Sequence, residues 1–235
     1  MVAFGAMVSV TSVRVAEARP LGKKLMYLFT RLATLRGDQR KSMAWAANIN
    51  GYVDAHSEHS LTLWRADFGY AVGTVAWSAW VESHAALNAG FAPLLDDDGY
   101  FGLLDEGQEF LTAPAEDLLR QPLHGAPAGD APPIGAVTTV TTAVVAGGKY
   151  DDGISWGIEM AQLVEEVTKL PTMFLLDTYG TFGQVTWLSG APDLASADAA
   201  SDAINSNDKY MRRLGDVGDL FVPASGRRGL VTRIA

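Results

Sequence analysis

Phe68-Gly-Tyr-Ala-Val-Gly-Thr-Val-Ala-Trp77 and Tyr179-Gly-Thr-Phe-Gly-Gln-Val-Thr-Trp187 state one pattern twice, 110 or 111 residues apart. In each, an aromatic-Gly step is followed by a second Gly and then by Val-x-Trp. A glycine-bearing reversal between two runs of strand-forming residues is what a hairpin requires, so each stretch reads as two strands around a tight turn. The correspondence extends outward. Trp45 lies 24 residues before Gly69, and Trp156 lies 24 residues before Gly180. Asp98-Gly-Tyr100 answers to Asp208-Lys-Tyr210, and Gly107-x-x-Phe110 to Gly218-x-x-Phe221. A period this long marks two copies of a small domain rather than a solenoid of short repeats.

Aligning the copies exposes elements that neither shows alone. Residues 25–35 line up with residues 136–146, and the Val/Thr-rich second version identifies both as strands. A helix follows over 39–56 and over 154–169, where Ile154, Ile158, Ala161, Val164 and Val167 mark one buried face. The hairpins predict strands at 60–68 with 71–80, and at 172–179 with 181–188. An Ala-rich second helix is expected over 82–95 and 192–204, with a last strand at 108–112 and 219–223. Each copy then reads strand-helix-strand-strand-helix-strand, the ferredoxin-like βαββαβ order. The predicted organisation is a first repeat with an N-terminal extension over 1–124, a Pro/Gly linker at 125–133, and a second repeat with a C-terminal strand over 134–235. Val8–Ala16 and Gly229–Ile234 read as extra strands outside the repeat, able to add edge strands within the chain or to pair with a neighbouring subunit.

Apolar residues make up 48% of the 235, enough for a sizeable core, and charged residues 19%, too few for a disordered chain. The absence of cysteine removes disulfides, thiolate metal sites and cysteine nucleophiles and accords with a reducing compartment. No stretch has the ~18 unbroken apolar residues of a membrane span, and the start lacks the pattern of a signal peptide. A cytoplasmic protein is expected. The net charge of -9 argues against nucleic acid as a partner. Basic residues gather at the two ends, six in 1–36 and six in 209–235, which suits solvated termini or docking onto a second copy.

With this order and the Gly-x-Val-x-Trp strand in view, the chain resembles the dimeric α+β barrel superfamily over about Leu25–Thr112 and Ala136–Pro223. That group includes antibiotic-biosynthesis monooxygenases, NIPSNAP-like proteins and the chlorite dismutase group. The resemblance implies an α+β fold in which two tandem ferredoxin-like units pack sheet against sheet within one chain, and it implies no single activity. Val75-Ala-Trp77 and Val185-Thr-Trp187 have one residue fewer between Val and Trp than the comparable NIPSNAP-like hairpin. Haem-binding relatives need an axial histidine in the second half. The four histidines here, His56, His59, His84 and His124, leave that half without one, so haem is disfavoured and no cofactor is expected.

The candidate functional residues are few. His84, near the start of the second helix, is a general base if it faces a cavity, but its counterpart is Leu194. Trp77, Tyr100, Trp187 and Tyr210 are candidate walls for a flat apolar ligand, although paired aromatics usually pack a core and the tyrosines also suit an anchor for the loop after helix two. His56-Ser-Glu-His59 has metal-ligand spacing without a visible third ligand, and a solvated helix end explains it; no metal site is expected. No phosphate loop, dinucleotide fingerprint or nucleophile elbow is present. On these residues the expected role is a non-catalytic structural or assembly module that self-associates as a homo-oligomer through its terminal strands. The alternative is a cofactor-independent monooxygenase-like or small apolar ligand-binding enzyme.

Overall fold

The computed structural model describes residues 26–127 and 129–235. The predicted extra strand at Val8–Ala16 lies outside them. The first half contains β1 (Tyr27–Thr34), α1 (Gln39–His56), β2 (Thr62–Phe68), β3 (Thr74–Val81), α2 (His84–Phe91), α3 (Asp98–Gly107) and β4 (Glu116–His124). The second contains β5 (Val137–Val144), α4 (Tyr150–Thr168), β6 (Thr172–Tyr179), β7 (Gln184–Ala191), α5 (Leu194–Asn205), α6 (Asp208–Gly215) and β8 (Arg227–Arg233). The eight strands close into one antiparallel barrel in the order β1-β3-β2-β8-β5-β7-β6-β4. Within it each half keeps the ferredoxin-like strand order, fourth-first-third-second. The two sheets join at β2 with β8 and at β4 with β6.

Local chemistry repeats with the fold. Gly69 (φ 78°) and Gly73 (φ 87°) shape the first hairpin, and Gly180 (φ 132°) and Gly183 (φ 74°) the second, all in the left-handed region that glycine enters freely. A Cβ on Gly69 would stand 2.1 Å from the Arg228 carbonyl oxygen, so that glycine also lets β8 approach. At the helix-to-strand turns, Asp54 accepts from the Leu61 N–H at 2.6 Å and Glu165 from the Thr172 N–H at 3.0 Å. The tryptophan pairs match as well. Trp45 meets Trp77 edge-on at 6.0 Å, and Trp156 meets Trp187 at 6.1 Å. The Trp77 and Trp187 indoles donate to the carbonyls of Ala46 and Gly157 on the facing helices. These rings bind helix to sheet on the outside of the barrel.

Four sequence expectations need correction. Residues 108–112 and 219–223 are not strands: Leu111 and Phe221 form single bridges to Leu35 and Val145, and the last strands are β4 and β8. Gly229–Ile234 is therefore no spare strand. It belongs largely to β8, hydrogen-bonded on both sides within the chain, and closure of the barrel leaves no free edge there for a second subunit. The expected second helices are present as α2 and α5, but each is followed by a further helix that the sequence reading lacked. The tyrosines sit in the first turn of the added ones, α3 and α6, where Asp97 and Asn207 accept from the Tyr100 and Tyr210 N–H groups. Finally, Tyr27 pairs with Val81 and Val137 with Ala191, so β1 and β5 correspond at an offset of 110, not the 111 read from sequence. A slip of one residue exchanges the two faces of a strand.

Candidate functional site between sheet and helices

The corrected register makes a residue-by-residue comparison of the halves possible. In the first half the space between sheet and helices is filled. Phe29 on β1 meets Phe91 at the end of α2 edge-on at 5.7 Å, within a continuous core that includes Leu61, Val81 and Trp77. His59 completes the fill: its Nε2 lies 2.9 Å from the Leu87 carbonyl and its ring packs on Phe91 at 4.7 Å.

In the second half the same positions hold smaller groups. Phe29 corresponds to Thr139 and Val81 to Ala191 by strand pairing. Phe91 corresponds to Ser201 and Leu87 to Ala197, counting from the helix caps Ser83 and Asp193, which both accept from the N–H three residues on. Leu61 corresponds to Thr172, since Leu63 and Phe174 pair with the equivalent tryptophans. The loss of two phenyl rings and several methyl groups accompanies a pocket of about 190 Å³, whose wall includes Thr139, Thr172, Ala191, Ala197 and Ser201. The core of this half is correspondingly divided into two clusters, one around Phe174 and one around Trp156 and Met160.

The walls are of two kinds. Trp156, Trp187, Met160 and Val164 supply flat and flexible apolar surface, and Thr139, Thr141, Ser189, Ser201 and Tyr210 supply hydroxyls. Arg228 on β8 adds a cation. In the first half the corresponding strand pair is Arg31 with Asp117, which form a bidentate ion pair with both bonds at 2.7 Å. In the second half Thr141 faces Arg228 across the ladder, and Arg228, an exposed residue, forms no ion pair among the described residues. The pocket thus combines an aromatic slot, hydroxyl donors and an uncommitted guanidinium, an arrangement suited to a flat molecule bearing a hydroxyl or an oxyanion.

The structure separates the residues singled out from sequence. Trp187 and Tyr210 line this pocket together. Trp77 is buried in the filled core of the first half, and Tyr100 packs against that core. His84 is exposed, its ring between those of Tyr27 at 5.0 Å and Tyr179 at 5.2 Å, and it lines neither this pocket nor the barrel interior. His56 stacks on Tyr52 at 4.0 Å while His59 turns into the core, so the pair does not converge. No cluster of three or more His, Cys, Asp or Glu able to hold a metal occurs among the described residues. The pocket wall holds no histidine, so the axial ligand of the haem-binding relatives is not supplied there. Sequence reasoning missed the Thr and Ser lining and Arg228, whose signal is their contrast with Phe29, Phe91 and the paired Arg31.

No helix among the described residues is long and apolar enough to cross a membrane. The sequence matches no protein-family profile and no curated protein. Solved structures are similar in fold. A candidate monooxygenase from Fusobacterium nucleatum superimposes with a TM-score of 0.66 at 8% identity, over 90% of this chain and 93% of that one. An anthrone oxidase-like protein gives 0.65 at 14%, over 91% and 93%. A candidate monooxygenase from Lactobacillus acidophilus gives 0.59 at 9%, over 89% and 94%. These likenesses correct the expectation of a non-catalytic assembly module: the three structures named here, matched over nearly their whole length, are described as candidate monooxygenases or as anthrone oxidase-like. The closed barrel, the ferredoxin-like order of each half and these neighbours show that the chain has the fold of the dimeric α+β barrel proteins.

Proposed function

We propose that the chain is a small-molecule enzyme of the cofactor-independent monooxygenase type, acting in the pocket of its second half on a flat aromatic substrate with an ionisable oxygen. The observation that carries this reading is the contrast within a duplicated core, Phe29 and Phe91 in one half against Thr139 and Ser201 in the other, beside Arg228, which forms no ion pair among the described residues. Filling a cavity is the simplest gain in stability open to a protein, so a pocket kept where the twin carries larger side chains points to a use. The names of the similar structures supply the reaction class.

The side chains supply binding and charge placement. The Trp156 and Trp187 rings would hold the substrate plane, and Tyr210 and the Thr and Ser hydroxyls would orient its oxygen. Arg228 would stabilise the substrate as an oxyanion, the electron-rich form that dioxygen can oxidise without a bound redox group.

Anthrone is a suitable probe. Its oxidation consumes one dioxygen and yields anthraquinone and water. Oxygen uptake with anthraquinone formation is expected from the wild-type chain. Thr139→Phe/Ser201→Phe, which restores the first-half residues, should abolish turnover and raise Tm. Arg228→Gln should lower kcat/KM about tenfold or more, the loss typical of a charge-assisted hydrogen bond. If neither anthrone nor 1-naphthol is oxidised or quenches tryptophan fluorescence, the reading falls.

A further inference from the structure

A second, larger cavity of about 770 Å³ occupies the barrel itself, lined from all eight strands. On β3 the side chains alternate: Val75, Trp77, Ala79 and Val81 are buried towards the helices, while Ala76, Ser78 and Trp80 turn inward. Most of the inner wall is apolar. Glu58, Glu116, Asp130, Arg227 and Arg228 also line it but are exposed, and the buried charge in the wall is Arg120 of β4, whose Nε donates to Asp177 Oδ1 of β6 at 3.0 Å and whose Nη1 donates to Thr30 Oγ1 at 3.3 Å. Asp177 also accepts from Gln184 at 2.7 Å and from Thr186 at 3.5 Å.

The duplication supplies a control for this ion pair. Arg120 and Asp177 are registered partners across the β4–β6 seam. Their counterparts across the β2–β8 seam are Val231 and Ala66, also registered partners. The barrel therefore closes equally well with an apolar pair, and an apolar pair avoids the desolvation cost that a buried ion pair carries. Closure does not demand the charges. The pair is also lopsided: the Asp177 side chain is 0% exposed and the Arg120 side chain 9%. Of the two, only Arg120 lines the cavity. A guanidinium has five N–H donors, and the two bonds above leave donors for a ligand.

We propose that the barrel interior is a binding site for a small monocarboxylate, its acid group on the Arg120 guanidinium and its apolar body along Trp64, Trp80 and Leu188. A single buried guanidinium matches a carboxylate in charge and fork geometry. The volume lies in the range of small-molecule sites, and the apolar walls reward a hydrocarbon or aromatic body. This site and the pocket between sheet and helices share Arg228 alone in their linings, and the assignment does not depend on the function proposed for that pocket.

Decanoate tests the assignment, with decanol as its uncharged counterpart, by calorimetric titration of the full chain. Saturable decanoate binding is expected, tighter than that of decanol. Arg120→Val/Asp177→Ala copies the other seam and should fold with an unchanged circular dichroism spectrum, weaken decanoate at least tenfold and leave decanol unaffected. Gly190→Trp places the residue of the opposite half, Trp80, where an added Cβ meets nothing nearer than Pro171 Cγ at 4.0 Å. It should weaken both ligands. Thr139→Phe/Ser201→Phe should change neither. The proposal is overturned if decanoate binds no tighter than decanol, if the Arg120/Asp177 double variant keeps its affinity, if that variant fails to fold and so reveals a structural strut, or if refilling the outer pocket removes decanoate binding.

Discussion

At the residue scale, Asp177 is an acid whose side chain is fully buried. Burial pushes its carboxyl above the usual range, against the opposing pull of Arg120, Gln184 and Thr186. A raised folded-state value means that folding favours the protonated form. Its contribution to stability is complete below the unfolded carboxylate value of about 3.9 and fades as pH rises through the higher folded value. Urea unfolding of wild type and Asp177→Asn across that interval should show the stability difference moving against wild type with rising pH. A difference that does not vary with pH would refute the assignment. Neither this acid nor Arg120 was legible beforehand. They lie 57 residues apart on strands whose repeat partners are Ala66 and Val231, so duplication, the strongest signal in the sequence, is silent there.

At the element scale, the short helices α3 and α6 are where sequence reading and structure diverged most usefully. Asp98-Gly-Tyr and Asp208-Lys-Tyr were visible as a repeat, but they mark helix starts capped from the residue before. Asn207→Ala should cost about 1 kcal/mol of stability, the usual loss of a side-chain cap. Because the capped N–H belongs to Tyr210 in the pocket wall, the same change should weaken 1-naphthol binding, while Asp97→Ala in the other half should not. Fluorescence titration of the two variants separates these outcomes. The βαββαβ order, both hairpins and the tryptophan pairs were readable because Gly turns and large aromatics leave local signatures. β4 was not, since Glu116–His124 carries no alternation of apolar residues and includes Pro122, which argues against a paired strand. The structure accommodates that proline at an irregularity in the register with β6. The pocket was hidden for a related reason. An offset of 111 sets Phe29 against Val140, two apolar residues, whereas the true offset sets it against Thr139 and reveals the missing ring.

At the scale of the whole molecule, β8 is the closing stave, paired with β2 of the first half and β5 of its own. Deleting residues 226–235 should leave both of those strands with open edges. The truncated chain is expected to self-associate in light scattering and to bind anilinonaphthalene sulfonate, where the intact chain stays monodisperse and dark. Persistence of a compact, non-associating truncated form would show that closure is dispensable. The halves are also joined covalently through residues 125–133, which turns what would be a bimolecular docking of two sheets into an intramolecular one. Dilution cannot part them. An assembly of two identical chains must repeat every substitution by symmetry, so any hole or charge appears twice or not at all. Joined in a single polypeptide, one half can remain rigid and densely filled while the other is hollowed out, and one seam can be greasy while its twin is ionic. Chemical division of labour within the barrel is thus a consequence of the tether.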